Sequence, residues 1–188
     1  YYQGMIGTGQ MVDFKHTEIM DYEKAIEIAK TKGNEKLIEK LMKQGKPPYY
    51  DGNIALLSFS YLSYLSQFMS DNPEIHGGYH TIRDIFSSEY GIMDSINYFY
   101  GLMATFNVVY PQLYEIDLRE DYTELNVPIY FFIGRHDINA PVELTEEYYD
   151  ILHAPKKELI WFEHSGHGCM INDNALFIKE TLRVFQDD

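Results

Sequence analysis

VPIYFFIGRHDINAP, running from Val127 to Pro141, is the stretch that decides how this chain of 188 residues folds. Its first half is an unbroken apolar run closed by Gly134. Such a run fits a strand covered on both faces inside a parallel sheet, whereas a strand with one wet face alternates apolar and polar residues. Pro141 sits where a helix can begin, and Val142–Leu152 carries a helical pattern. The design then repeats. ELIWFEHSGHG, from Glu158 to Gly168, starts with a second buried strand, Glu158–Phe162, and runs into a polar loop. An amphipathic helix over Asp173–Phe185 closes the chain. Strand, helix, strand, helix is the order of a right-handed βαβ unit with a covering helix.

Upstream the character changes. Residues 1–12 mix apolar and small side chains and end in Gly7-Thr8-Gly9-Gln10 and Met11, read as a short core strand and the turn after it. From about Thr17 the pattern is helical. Gly33 stops one helix and Asn34 caps the next. In that second helix Leu37, Ile38, Leu41 and Met42 share a face, while Lys36, Lys40 and Lys43 take the other. Gly45 and Pro47-Pro48 end it. Asn53–Ser70 is apolar around most of its girth, so it must be covered on several sides. Thr81–Glu89 and Met93–Phe106 read as two further helices. The expected organisation is therefore a core strand at 1–12, a helical lid at 13–115, and an α/β core segment at 116–188.

Composition narrows the function. A hydrophobic share of 45% supports a packed core, and a formal net charge of −14 argues against nucleic acid, whose phosphates require Lys and Arg. The same charge argues against an anionic membrane surface. Between Pro47 and Leu118 the base is Arg83, set among many acids, which favours a neutral or cationic ligand over an anionic one. Gly52–Ser70 and Ser95–Tyr114 are uncharged and long enough to cross a bilayer. Their serines, amides and Pro111 make buried lid or core helices the better reading. The single cysteine, Cys169, excludes an internal disulfide and fits a reducing, cytoplasmic compartment. The opening YYQGMIGTGQM has no basic leader and no initiator Met, which suggests a truncated or processed product.

In open parallel sheets, ligands sit beyond the carboxyl ends of the strands. Two loops leave those ends here, Gly134–Asp137 and Glu163–Gly168. Neighbouring strands lie about 4.8 Å apart, so an acid after one can meet a histidine after the next. A carboxylate orienting an imidazole, which then deprotonates a nucleophile, is the chemistry that such a pair allows. An Asp in this place can equally form a turn, and His136, His164 and His167 all compete as the base. Clustered histidines also bind zinc, but the sequence has neither an HExxH pattern nor a cysteine pair. No metal or cofactor is expected. Ser165 and Cys169 lie too close to His167 along one loop to present themselves to it as nucleophiles.

VPIYFFIGRHDINAP, the helix after it and ELIWFEHSGHG resemble the C-terminal part of the α/β-hydrolase superfamily. Within it they look most like the proline iminopeptidase-like (prolyl aminopeptidase) serine hydrolases. The resemblance is strong over Asn126–Cys169 and looser over the IGTGQMVD opening and the helical insert, which forms a lid in that group. It implies that Asp137, in the G-R-x-D loop, is the triad acid and that His167, in the S-G-H loop, is the triad base. His136 and His164 do not match those positions. The nucleophile of such enzymes sits in a G-x-S-x-G elbow before the lid. Neither that elbow nor an H-G-G-type oxyanion loop occurs in the sequence, and the resemblance places both upstream of Tyr1.

The expected fold is thus the C-terminal portion of an α/β-hydrolase, parallel strands with flanking helices and a large helical insertion. The expected function is that of part of a serine hydrolase cleaving N-terminal proline or small residues, with the chain inactive by itself. An esterase, lactonase, epoxide hydrolase or dehalogenase of the same fold stays open, as does a non-catalytic interaction module. The substrate would be a peptide or a small ester or amide; no residue is assigned to binding it. A cut sheet would leave an unpaired edge, so the N-terminal half of the parent or a second copy is the expected partner. Tyr61, Tyr64, Phe68, Tyr98, Phe99 and Tyr100 are lid aromatics, read as packing first and pocket second.

Overall fold

A computed structural model describes residues 3–76, 85–86 and 91–186. The helix expected over Thr81–Glu89 lies outside these, apart from residues 85 and 86. The chain divides into two compact units, one built from Tyr1–Asp13, Met69–Gly78 and Asp117–Asp188, the other from Phe14–Phe68 and Tyr79–Ile116.

The first unit is a three-stranded parallel sheet in the order β1 (Met5–Thr8), β2 (Ile129–Gly134), β3 (Lys157–Phe162). Every residue of β2 is buried. Because successive side chains of a strand point to opposite faces, its aromatics are divided between two layers. Phe131 meets Tyr148 and Tyr149, on α6 (Val142–Ile151), edge-on at 5.9 and 6.1 Å. Tyr130 and Phe132 face the other way, toward α8 (Asn174–Gln186), where Phe132 meets Phe177 at 5.4 Å and Tyr130 meets Phe185 at 6.2 Å. Phe162 and Cys169 complete that cluster, the latter opening α7 (Cys169–Asn172). The strand begins two residues later than Val127 because Pro128 has no N–H to give. Its carbonyl still accepts from the Met5 N–H at 2.9 Å, which ties β1 to the entry of β2. A short helix, α5 (Leu118–Asp121), leads into the unit, and Arg119 there bridges Asp13, Asp117 and Glu147 at 2.7–2.8 Å.

The second unit holds α1 (Phe14–Thr31), α2 (Glu35–Gln44), most of α3 (Ile54–Ser70) and α4 (Ile92–Leu113). Asn34 caps α2 as expected, its side chain accepting the Leu37 N–H. Of the apolar face read for α2, Leu41 is fully buried but Met42 is 67% exposed, so the buried stripe is narrower than the pattern suggested. Helix α4 runs to Leu113, well past Phe106 and through Pro111. Aromatic packing offsets the hydrogen bond lost at the proline: Phe14 meets Tyr110 at 4.8 Å and Tyr114 at 6.0 Å. The aromatics expected to belong to a lid separate. Tyr61 is wholly buried, whereas Tyr98, Phe99 and Tyr100 are exposed. Among the described residues no helix is long and apolar enough to cross a membrane.

One boundary differs from the sequence reading. Met69–Gly78 belongs with the sheet and not with the helices. The His76 N–H donates to the His164 carbonyl at 2.9 Å, the two imidazoles stack at 4.2 Å, and Asn172 Nδ2 donates to the His76 carbonyl at 2.9 Å. Polarity along the chain could not reveal these backbone ties.

Candidate active site

The loops after β2 and β3 are laced together by main-chain bonds. The Arg135 N–H donates to Phe162 O and the His136 N–H to Ser165 O, both at 3.0 Å. This requires a glycine at 134, since a Cβ there would lie 2.0 Å from the Gly166 carbonyl oxygen. The turn at Gly134 then closes through the Asp137 N–H to the Gly134 carbonyl at 3.1 Å. Asp137 is thereby aimed along the strand end. Its side chain is only 1% exposed, and Oδ1 accepts the Ala140 N–H at 3.0 Å.

His167 approaches from the neighbouring loop. Its Nδ1 stands 3.0 Å from Asp137 Oδ2 and 3.2 Å from Oδ1. An ionised carboxylate can only accept, so Nδ1 is the donor and Nε2 is left bare in the neutral ring. The His167 side chain is 46% exposed, in contrast to its partner. The hydrogen bond to Asp137 raises the imidazole pKa above 6.5, burial opposes the rise, and the charge on Asp137 adds to it. The pair can therefore hold an imidazole in one tautomer, store a proton on it and present Nε2 to a reacting group.

The competing residues lie elsewhere. His136 Nε2 is 3.6 Å from the Glu74 carboxylate, and His164 Nδ1 is 3.2 Å from the Glu74 carbonyl. Ser165 is wholly buried, and its hydroxyl has no hydrogen-bond partner among the described residues. Cys169 is buried, lies 3.7 Å from the Phe132 carbonyl, and has its thiol pKa pushed up to about 12 by burial, far from a reactive thiolate. Among the described residues no three of His, Cys, Asp and Glu converge as a metal site.

Two features escaped the sequence reading. Gly9, in the turn after β1, lies directly against the His167 ring. Its signal was present in the Gly-Thr-Gly-Gln string, but nothing in a string gives a distance to residue 167. In the helical unit, Glu18 is 1% exposed and accepts from Ser58 Oγ at 3.1 Å and from Tyr61 OH. Burial raises its pKa and the two hydroxyls partly offset the rise. A glutamate on a helix that also carries the exposed Glu23 and Glu27 gives no hint that it points inward.

No family model matches the chain. It is 30% identical over 96 residues to a protein of Bacillus subtilis (strain 168) described as a probable aminopeptidase, YbaC, an alignment covering 51% of this chain and 30% of that protein. Among solved structures it is similar to the esterase RhEst1 from Rhodococcus sp. ECU1013, with a TM-score of 0.51 and 14% identity, over 97% of this chain and 55% of that one. An alpha/beta fold family hydrolase from Bacillus anthracis str. Sterne superposes less closely, with a TM-score of 0.37 and 17% identity over 65% of this chain and 47% of that one. The chain thus spans about a third of the curated relative and about half of the esterase. With its parallel sheet flanked by helices, it carries part of an α/β-hydrolase fold.

The His167–Asp137 bond has a measurable signature. By NMR titration His167 titrates above the ordinary histidine value of about 6.5, and Asp137→Asn brings it down to that value or below, since burial then acts unopposed. A pKa raised on folding stabilises the fold below the unfolded value, and that contribution fades as pH rises through the folded pKa. The stability lost in His167→Ala is therefore greater at pH 6 than at pH 9 by denaturant titration. Equal losses at both would contradict the bond.

Proposed function

We propose that this chain supplies the acid and the base of a serine-type hydrolase, Asp137 and His167, and that the attacking hydroxyl comes from a part of the protein outside these residues. The observation carrying the proposal is the 3.0 Å contact between a wholly buried carboxylate and a half-exposed imidazole on adjacent strand ends. Asp137 holds Nδ1–H, so Nε2 takes the proton of the nucleophile as it attacks the carbonyl carbon. The protonated ring then gives that proton to the leaving group, and a water repeats the cycle to free the acyl product. Asp137 stays ionised and stabilises the transient imidazolium.

The substrate class we favour is an amide at a peptide N-terminus, with proline or a small residue first. The likeness to the probable aminopeptidase of Bacillus subtilis supports the N-terminal amide, and the narrower choice of proline or a small residue rests on the resemblance of the Val127–Pro141 and Glu158–Gly168 stretches. A small ester is the second reading, favoured by the likeness to the Rhodococcus esterase. Both reactions use the same acyl transfer, so the pair of residues fits either.

The partner we propose is the remainder of the same fold. Strand β3 carries Leu159, Ile160 and Trp161 but is only half-buried along most of its length, and β1 is partly open as well. On α8 and beside it, Met170, Ile171, Ile178 and Leu182 are about half exposed. An unpaired strand edge and apolar residues on this scale are what a missing layer would cover.

Two measurements test these readings. In the intact protein, His167→Ala and Asp137→Asn each lower kcat/KM by about 100- to 10,000-fold, the range for losing a general base or its orienting acid. Comparing proline p-nitroanilide with p-nitrophenyl acetate separates amide from ester specificity. Near-normal turnover in either variant, on whichever substrate is preferred, would reject the catalytic assignment. The isolated 188 residues are expected to associate across a light-scattering concentration series. A stable monomer at every concentration would reject the missing-layer proposal.

A further inference from the structure

We propose that Gly9 is a positioning residue for His167: the absence of a side chain in the turn after β1 lets the imidazole lie flush against Asp137. The inference rests on the reading of His167 as the general base. Gly9 has a φ of +52°, a left-handed conformation that favours glycine. Its second requirement is spatial. A Cβ at Gly9 would stand 2.6 Å from His167 Cε1, 2.8 Å from Nδ1 and 3.3 Å from the His167 carbonyl oxygen. Carbon contacts settle at roughly 3.5–4.0 Å, so a methyl there demands a movement of about 1 Å at the edge of the ring that bonds Asp137.

What gives way follows from how each partner is held. Thr8, next to Gly9, is in register with the wholly buried Phe132 of the central strand. Asp137 is nearly inaccessible and is tied to the Ala140 N–H. The imidazole, with 46% of its side chain exposed, is the member free to swing. A displacement of about 1 Å carries Nδ1 from 3.0 Å beyond the range of a hydrogen bond to the carboxylate. The methyl would therefore cost the Asp137–His167 contact and leave the sheet intact. Gly33 and Gly45 also have positive φ, +68° and +83°, but nothing lies within 4 Å of a Cβ at either. Those two serve backbone conformation alone, which makes Gly33 the proper control.

The test uses Gly9→Ala and Gly33→Ala in the intact protein, with Asp137→Asn made in each background. His167 is titrated by NMR, and kcat and KM are measured separately. In Gly9→Ala the His167 pKa falls from its raised position to the ordinary histidine value or below, and adding Asp137→Asn shifts it no further. Turnover falls about 100-fold with little change in KM, as expected for a misplacement of about 1 Å at a catalytic group. Gly33→Ala keeps the wild-type pKa, its response to Asp137→Asn and its turnover. A folded Gly9→Ala whose His167 still titrates as wild type would overturn the proposal. So would a Gly9→Ala that fails to fold while Gly33→Ala folds, because the ring would then not have absorbed the methyl. If wild-type His167 shows no response to Asp137→Asn, the pairing itself fails and the role of Gly9 falls with it. A wild-type response with an unchanged Gly9→Ala rejects Gly9 alone.

Discussion

Everything in the sheet unit hangs on the double-sided burial of β2. Phe131 and Phe132 are both 0% exposed and point to opposite faces, so helices must cover the strand above and below. Removing aromatic side chains of that size from water stabilises the fold by about 2–3 kcal/mol each. A central strand paired in parallel on both edges sends its two neighbours' carboxyl ends to the same side as its own. The turn after β1, the Asp137 loop and the His167 loop are therefore neighbours as a consequence of packing. Packing of the core thus brings Asp137 and His167 together.

The close approach of those loops is a second consequence. Gly134 accepts the Gly166 carbonyl where any Cβ would collide, and Gly9 accepts the His167 ring in the same way. Between them, the backbone donors of Arg135, His136 and Asp137 bond to carbonyls of β3, of its following loop and of Gly134, which holds the two loops together. Asp137 is left with one oxygen tied to Ala140 and the other facing the imidazole. The arrangement is preorganised: the carboxylate is buried and fixed, and the imidazole beside it is half-exposed.

The sequence made β2, β3, α6 and α8 legible to within about two residues, because an apolar run closed by glycine and a 3.6-residue period are local signals. That an acid after β2 could meet a histidine after β3 was legible too, from strand order and spacing together. Strand geometry alone left three loop histidines open; the resemblance of the S-G-H loop singled out His167, and the contacts of His136 and His164 with Glu74 agree with that choice. The attachment of Met69–Gly78 to the sheet, the inward turn of Glu18 and the contact of Gly9 with residue 167 are all long-range facts. Each depends on tertiary packing that no local pattern encodes. Helix α4 outran its expected end for the same reason, held by the distant Phe14 across Pro111.

We propose that Asp137 and His167 activate a serine located outside these residues. Labelling the intact protein with a fluorophosphonate and locating the adduct by mass spectrometry tests it most directly. The expected result is stoichiometric modification of a serine outside these 188 residues, lost when His167 is replaced by Ala. Modification of a serine within them, Ser165 included, or labelling indifferent to His167, would contradict it.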